Sequence, residues 1–369
     1  MKDDFEITFS MSEKFSYKWD NLLSDENPFI KSTFLKSFEI YDNESLTPFY
    51  IQFNESIIYG NLITIIGSKV ANYVEQNKKF SLKRWLMRKV NVRVFCFGNT
   101  HMSNLPSHLL KNHTISEEKL LELTLKIKKN YGVNYFLLPD HFFLNVEQND
   151  NLISNKFNLF NIDPDMRLKI PKQWNSFEDY IDTISSKYKK RHRGVIKKNK
   201  DLTVKNISIE ELDNLKDKMK ELYNNVYEKS SFSGPPFKLN IFNEIMQLDY
   251  LKPQIKGYFL NDNLIAFSSY LSYKDKLYSY YIGLDYSFNK KYAVYSKILY
   301  DTIEKGIKEG NNEIIFGRTA SEFKSTFGAK PINSKSGLIV MNSLLNLILK
   351  PFLKQISPEK WIERSPFKS

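Results

Sequence analysis

One connection constrains this chain more than any other. The apolar run "LYSYYIGLD" (277–285) leads through the segment "YSFNKKYAVY" into a helical repeat, "SKILYDTIEKGIKEG" (296–310), which returns to the run "EIIFG" (313–317). A strand, a helix and a strand joined this closely form a right-handed crossover, so 277–285 and 313–317 are expected to be parallel neighbours. Two runs just before, "GYFLN" (257–261) and "LIAFSSYLSY" (264–273), meet at the tight turn Asn261-Asp262-Asn263. The second passes Lys274-Asp275-Lys276 into 277–285, an antiparallel meander. The expected sheet is therefore mixed, mostly antiparallel, with a parallel pair at its centre and helices on its faces, an α/β arrangement.

The first half runs in a similar order. "FEITFS" (5–10) alternates like a strand, and "KWDNLL" and "STFLKSFEIY" (32–41) have helical spacing, with Ser32 or Thr33 as a cap. Strands "PFYIQF" (48–53) and "IIYGNLITIIG" (57–67) flank the turn Asn54-Glu55-Ser56. A basic segment (78–89) precedes the strand "VRVFCFG" (92–98), a helix at 116–130 and the strand "VNYFLLP" (133–139). The polar stretch 147–156 reads as a boundary. Beyond it, Phe177, Tyr180, Ile181, Ile184, Tyr188 and Val195 mark one face of a long helix over 176–200. A second helix over 208–230 opens with Ser208 and Glu211, a capping box. Two weakly similar lobes in tandem are expected, 1–160 and 165–369.

Composition narrows the partners. The 369 residues are 41% hydrophobic and 15% aromatic, a globular balance, and carry a net charge of +12. That charge favours an anionic partner such as a phosphate-bearing cofactor, nucleic acid or acidic lipid. The single cysteine, Cys96, excludes a disulfide framework and points to a reducing compartment. The first residues lack an apolar signal core, and no run reaches the ~20 apolar residues of a bilayer span. "LLNLILKPFL" (344–353) comes nearest, interrupted by Lys350 and Pro351. The expectation is a cytoplasmic chain with no transmembrane segment. The histidines show no ligand spacing with Cys96 or each other, so no metal is expected. No phosphate-loop, dinucleotide or nucleophile-elbow motif occurs.

Three clusters are candidates for a site. The segment between strand 277–285 and helix 296–310 holds Asn289, Lys290, Lys291, Tyr295 and Ser296. A helix start offers free N–H groups to a phosphate, so these five are candidate cofactor-binding residues, or simply a solvated connection. Arg318, Glu322 and Lys324 follow the neighbouring strand at its carboxyl end, where α/β sheets place sites. A helix starting near Ser321 would set Arg318 and Glu322 at i, i+4, in reach of a plain salt bridge. Tyr280, Tyr281 and Tyr295 flank the segment between strand 277–285 and helix 296–310, and Tyr281 is a candidate general acid, or a packing ring. The run 187–200 holds eight Lys/Arg, among them Lys189, Lys190, Arg191 and Arg193 opposite the apolar stripe. Those four either contact anions or form a solvated face. His101, after strand 92–98, reads as a loop residue or a site histidine of the first lobe.

"FGRTASEFKSTFGAKP" (316–331), preceded by "YYIGLDYSFNKKYAVYSKILYDTIEKGI" (280–307), resembles the GNAT-like N-acyltransferases of the Fem-like group, often labelled peptidoglycan biosynthesis or recognition proteins. "NPFIKSTFLKSFE" (27–39), "CFGN" (96–99), "SSKYKKRHRGVIKK" (185–198) and "ERSPFK" (363–368) look like further blocks of that group. The resemblance implies two GNAT-like lobes and transfer of an acyl or aminoacyl group to an amine of a small molecule or cell-envelope precursor. It implies that Arg318 holds an anionic group, that Glu322 orients Arg318 or accepts the amine proton, and that Lys324 holds a second negative charge. GNAT enzymes usually carry a glycine-rich pyrophosphate loop before the central helix. Here that segment has no glycine. Two donors therefore stand open, acyl-CoA and an aminoacyl-tRNA as in Fem-type ligases. A third reading is a non-catalytic protein that docks on anionic membrane or nucleic acid through 187–200.

Overall fold

The computed structural model of the chain describes residues 5–23, 27–41, 45–74, 85, 88–147, 157–230, 234–353, 358 and 360–368. Most of the basic segment 78–89 and the polar stretch 148–156 lie outside them. The strands are β1 (Glu6–Thr8), β2 (Leu46–Phe53), β3 (Ser56–Ile65), β4 (Val92–Cys96), β5 (His108–Leu109), β6 (Ile115–Ser116), β7 (Tyr135–Leu138), β8 (Val146–Glu147), β9 (Phe157–Lys169), β10 (Thr203–Ile207), β11 (Gln254–Leu260), β12 (Asn263–Tyr273), β13 (Lys276–Leu284), β14 (Glu313–Gly317) and β15 (Lys330–Val340). The helices are α1 (Glu13–Asp20), α2 (Ser32–Lys36), α3 (Gly67–Val74), α4 (Glu117–Tyr131), α5 (Asp140–Phe143), α6 (Phe177–Thr183), α7 (Ser186–Asn199), α8 (Ile209–Lys229), α9 (Ile241–Ile245), α10 (Tyr286–Tyr292), α11 (Val294–Lys308), α12 (Ser321–Ser325) and α13 (Ser343–Leu353).

Contacts divide the chain into two compact units. The first is Met1–Ile162 with Ser231–Ile241 and Ser334–Pro358; the second is Asp163–Ser230, Phe242–Asn333 and Glu359–Ser369. In the first unit the strand order is β1-β2-β3-β4-β7-β15. Every neighbouring pair there is antiparallel except β4 and β7, which run parallel through Phe95↔Phe136 and Cys96↔Leu137. In the second unit the order is β10-β11-β12-β13-β14-β9, antiparallel except for the parallel pair β13 and β14. Each unit is thus a mostly antiparallel sheet around one parallel pair, as the order of runs in each half implied. The closing strand of each sheet was not legible. β15 closes the first unit's sheet from near the C-terminus, and Gly328 and Ala329 lead directly into it.

Local chemistry explains the helices of the second unit. Ser208 Oγ accepts from Glu211 N, and the Glu211 carboxylate accepts from Ser208 N at 3.0 Å, closing the capping box at the start of α8. The long helix expected over 176–200 is two helices, α6 and α7. It breaks at Ile184, which is extended and bridges Phe367, while Ser185 N donates to the Pro366 carbonyl. The C-terminal segment therefore pairs with the chain at the break, and its hydrogen bonds replace the helical ones. Ser32, considered as a cap, is instead the first residue of α2; its Oγ donates to Asp20 at 2.6 Å.

Helix α8 approaches β13 closely because Gly283 has no side chain. A Cβ there would sit 2.2 Å from a ring carbon of Phe267 and 2.8 Å from Leu222 Cβ. Both neighbours are fixed in a buried layer, so neither can yield cheaply. Gly283→Ala is expected to destabilise the fold by about 1–3 kcal/mol, read as a lower midpoint in chemical denaturation. An unchanged midpoint would mean that α8 is free to move off the sheet.

Candidate active site

The parallel pair at the centre of the second unit is short. β13 and β14 are in register through Lys276↔Glu313, Leu277↔Ile314 and Tyr278↔Ile315, and no pairing follows. Here β13 carries a bulge. Ser268 opposes Ile282 and Tyr270 opposes Ser279, so Tyr280 and Tyr281 together face the single residue Ser269. Ser269 Oγ fastens the bulge, accepting from Tyr281 N and donating to the Tyr281 carbonyl, both at 2.8 Å. A bulge adds twist and re-aims side chains, and here it coincides with the point where the strands part. Tyr281 lies half-buried at that point, edge-on to Tyr280 (4.7 Å between ring centres) and Tyr223 (5.7 Å). Tyr223 stacks with Tyr227 one turn along α8. Tyr223 and Tyr227 were not singled out from sequence. Their signal was the i, i+4 tyrosine spacing on a helix that otherwise reads as an ordinary amphipathic one.

The segment after β13 is not a loop. Residues 286–292 form α10, capped by Asp285, whose carboxylate accepts from Ser287 N at 2.9 Å. Ala293 then adopts a left-handed conformation (φ 49°) between α10 and α11. Asn289 Oδ1 accepts from Tyr295 N at 2.9 Å, so it caps α11 from one turn before it. Tyr295 is packed face to face with Phe323 (5.2 Å), and burial raises its phenol well above the usual range. Ser296 is buried. Lys290 and Lys291 sit in the last turn of α10; the Lys290 carbonyl accepts from Lys198, and Lys291 lies over the Tyr292 ring. Asn289 and Tyr295 thus have internal work at the junction of the two helices, and Ser296 is closed off from solvent there. Lys290 and Lys291 are the cations of that junction.

The stretch after β14 is held by its lysine. Gly317, Thr319 and Ala320 all have positive φ (73°, 68° and 50°), and for a β-branched threonine this is a strained state costing of order 1–3 kcal/mol. Lys324 is buried, and its ammonium donates to three successive carbonyls, Phe316 (2.8 Å), Gly317 (3.1 Å) and Arg318 (2.9 Å). All three of its N–H donors are used, so Lys324 does not reach out to hold a second negative charge. The turn at Thr319–Ala320 places Arg318 outside α12, and the i, i+4 pairing with Glu322 does not form. Arg318 Nη1 donates instead to the Asp163 carbonyl at 2.7 Å. Glu322 binds Arg364, which donates through Nε (3.1 Å) and Nη2 (2.8 Å), and accepts from Ile362 N. Those partners lower the Glu322 pKa, Arg364 most of all. Glu322 therefore anchors the C-terminal segment and does not orient Arg318.

The basic helix α7 divides its charges. Lys190 and Arg193 are exposed. Lys189 pairs with Asp182 at 2.7 Å. Arg191 turns inward: Nη1 donates to Thr326 Oγ1 at 2.8 Å, and the guanidinium lies over Phe323 (4.8 Å) and Phe327 (5.3 Å). It fastens α7 to the end of α12 and is not an outward anion ligand. Lone side-chain spacing could not show this, because the aromatic partners lie far along the chain.

In the first unit His101 is packed between Phe38 and Tyr41, and burial lowers its pKa to about 3. It is a neutral core ring. Among the described residues no group of three His, Cys, Asp or Glu side chains is placed to hold a metal ion, and no helix is long and apolar enough to cross a membrane. A cavity of about 790 Å3, lined by Arg167, Lys169, Trp174, Lys330 and Phe367, lies at the Glu313 end of β14, away from the parting of the strands.

Residues 186–325, from α7 through α12, match the family model of the acetyltransferase (GNAT) domain. The parting strands, α10, α11 and the Lys324 clamp all lie within the match, and the fold is GNAT-like. A conserved protein of unknown function from Bacteroides thetaiotaomicron VPI-5482 shares the fold at 9% identity with a TM-score of 0.51, covering 92% of this chain and 99% of that one. FemX is similar at 10% identity and a TM-score of 0.49, covering 94% and 100%. A probable N-acyltransferase from Enterococcus faecalis V583 is similar at 9% identity and a TM-score of 0.47, covering 92% and 73%. No curated protein matches the chain significantly.

Lys324 gives a signed pH prediction. Burial lowers its pKa to about 8, with Asp165 and Asp163 opposing the shift. An unfolded lysine keeps its proton to about pH 10.4. Between these values the unfolded chain binds more protons, so this group's contribution to stability rises with pH. Lys324→Met is expected to cost roughly 2–5 kcal/mol at neutral pH by stranding three carbonyls. The gap between wild type and variant should widen from about pH 8 to pH 10. A gap that stays constant or narrows would show that the buried ammonium keeps its proton throughout.

Proposed function

We propose that this chain transfers an acyl or aminoacyl group to an amine, in the opening between β13 and β14. The observation that carries this reading is the parallel pair that parts at a two-residue bulge, within a stretch that matches the GNAT domain. An extended donor can lie in such an opening with its carbonyl exposed to an incoming amine. Tyr281, at the bulge, is assigned the role of general acid: as the C–N bond forms and the C–S or ester C–O bond breaks, it gives its proton to the leaving thiolate or ribose oxygen, and the proton lost by the attacking nitrogen restores the phenol. Arg318, at the tip of the opposite strand and held in place by its bond to the Asp163 carbonyl, is assigned the charge of the anionic group of donor or acceptor. The acceptor class we infer is an amine of a small molecule or cell-envelope precursor.

The donor we favour is an aminoacyl ester of tRNA over acyl-CoA. Residues 285–296 contain no glycine, and Ala293 occupies the left-handed position with a Cβ in place. A backbone with side chains throughout approaches a pyrophosphate less closely. The exposed Lys190 and Arg193 suit the phosphates of a longer polyanion. A thermal-shift panel of CoA thioesters and aminoacyl-tRNA, with turnover assays on primary amines, tests the assignment. A bound donor at a hundred times its Kd stabilises the fold by about 2.7 kcal/mol. If no member of the panel shifts the midpoint or is consumed, the transferase reading is wrong.

Two substitutions divide the roles. Tyr281→Phe is expected to lower kcat by about 100-fold or more with an unchanged melting temperature; full activity would leave Tyr281 as a packing ring. Reversing charge at Lys190 and Arg193 together is expected to weaken tRNA binding and flatten its salt dependence by about two units of slope, while CoA thioesters are untouched. Equal tRNA binding in the variant would reduce α7 to a solvated face.

A further inference from the structure

Helix α13 is built the wrong way round for a water-soluble surface. Its sequence, "SLLNLILKPFL", turns the polar residue inward and the apolar ones outward. Asn346 is 6% exposed and its Oδ1 accepts from Asn158 Nδ2 at 2.7 Å, while Leu344 is 75% exposed, Leu347 73% and Ile348 58%. Asn342 caps the helix, its Oδ1 accepting from Leu345 N at 3.1 Å. The inward line, Asn346 and Leu353, is spaced by seven residues. The outward ridge, Leu344, Leu347 and Ile348, is spaced by three and four. The buried asparagine pair thus fixes the helix with its leucines facing out, and rotating it inward would break that bond. Leucines placed together like this mark an interaction site.

Charge and size choose the partner. No Asp or Glu occurs between Glu322 and Glu359 in the sequence, whereas lysines recur through that stretch. Lys335 on β15 and Lys350 on α13 are exposed in the same unit as the ridge. An apolar ridge on a helix whose one charged residue is a lysine, Lys350, fits an anionic lipid surface, where the side chains enter the acyl boundary and the ammonium group stays at the headgroups. At 11 residues the helix is about 16 Å long, too short to span a bilayer. Three leucine-sized side chains also fall well below the roughly 800 Å2 per partner of a stable dimer. We propose that α13 docks the chain on an anionic membrane, lying in the plane of the interface. The inference stands apart from the acyl-transfer reading, since it uses none of the residues assigned to that chemistry.

Flotation of the full chain with vesicles tests it. Wild-type protein is expected to float with vesicles of about half phosphatidylglycerol and half phosphatidylcholine, and much less with phosphatidylcholine alone or at high salt. Leu347→Asp with Ile348→Asp is expected to lower the partition by at least about tenfold with an unchanged melting temperature, because both side chains are already in solvent. Lys350→Glu is expected to lower it less and to reduce its dependence on anionic lipid. The proposal is overturned if the wild type does not float, or if the double variant floats like the wild type. It is equally overturned if light scattering shows that the ridge instead holds two copies together, as a dimer lost in the double variant.

Discussion

The second unit depends on one buried ammonium. Lys324 places a full charge out of water, which is costly, and recovers that cost by giving each of its three donors to a carbonyl at 2.8–3.1 Å. Those carbonyls belong to successive residues at the end of β14, where the chain stops pairing with β13. Any shorter or neutral side chain would leave at least one of them bare. The clamp also explains how Thr319 and Ala320 are kept left-handed: the carbonyls before them are fixed, and α12 after them is fixed by its own contacts. Strain of this kind persists only where the surroundings over-determine it.

Helix α12 is short, yet three segments meet on it. Lys324 ties it to the end of β14. Arg191 reaches it from α7 through Thr326 and the faces of Phe323 and Phe327. Glu322 and Ser325 receive the C-terminal segment, through Arg364 and its backbone N–H. Of the three residues that sequence grouped after β14, only Arg318 remains a candidate for chemistry. Lys324 holds the Arg318 carbonyl at the tip of its strand, and Glu322 holds the C-terminal segment.

The legible part of this fold was the part written in local periodicity. The crossover from 277–285 to 313–317 gave the parallel pair, and Ser208 with Glu211 gave the start of α8. What escaped was decided by partners distant in the chain. Nothing within 176–200 marks Ile184 as a break, because the reason lies in Pro366 and Phe367. "KPINSKSGLIV" reads poorly as a strand on its own, and becomes β15 by pairing with β7, whose residues come about two hundred positions earlier. The left-handed run at Thr319–Ala320 was hidden because neither residue is glycine. The elements around the candidate site were legible and the partners of its residues were not: ion-pair spacing assigned Glu322 to Arg318 when Arg364 holds it.

The opening itself has two walls, each fastened by a separate polar device. On β13 a single hydroxyl, Ser269 Oγ, makes both hydrogen bonds to Tyr281 and so fixes the bulge. On β14 a single ammonium fixes the turn. Neither device uses the side chains that face the opening, so the walls hold their separation whichever residues line them. That division separates the shape of the site from its chemistry. The segment 285–296 illustrates the consequence. There Asn289 caps α11 from within the chain, and a helix takes the place of a glycine-rich turn. The parting of the strands is unaffected, because nothing that fastens it lies in that segment. On the acyl-transfer reading proposed above, the donor can be changed by altering that one connection while both walls stay in place, and here the connection has no glycine.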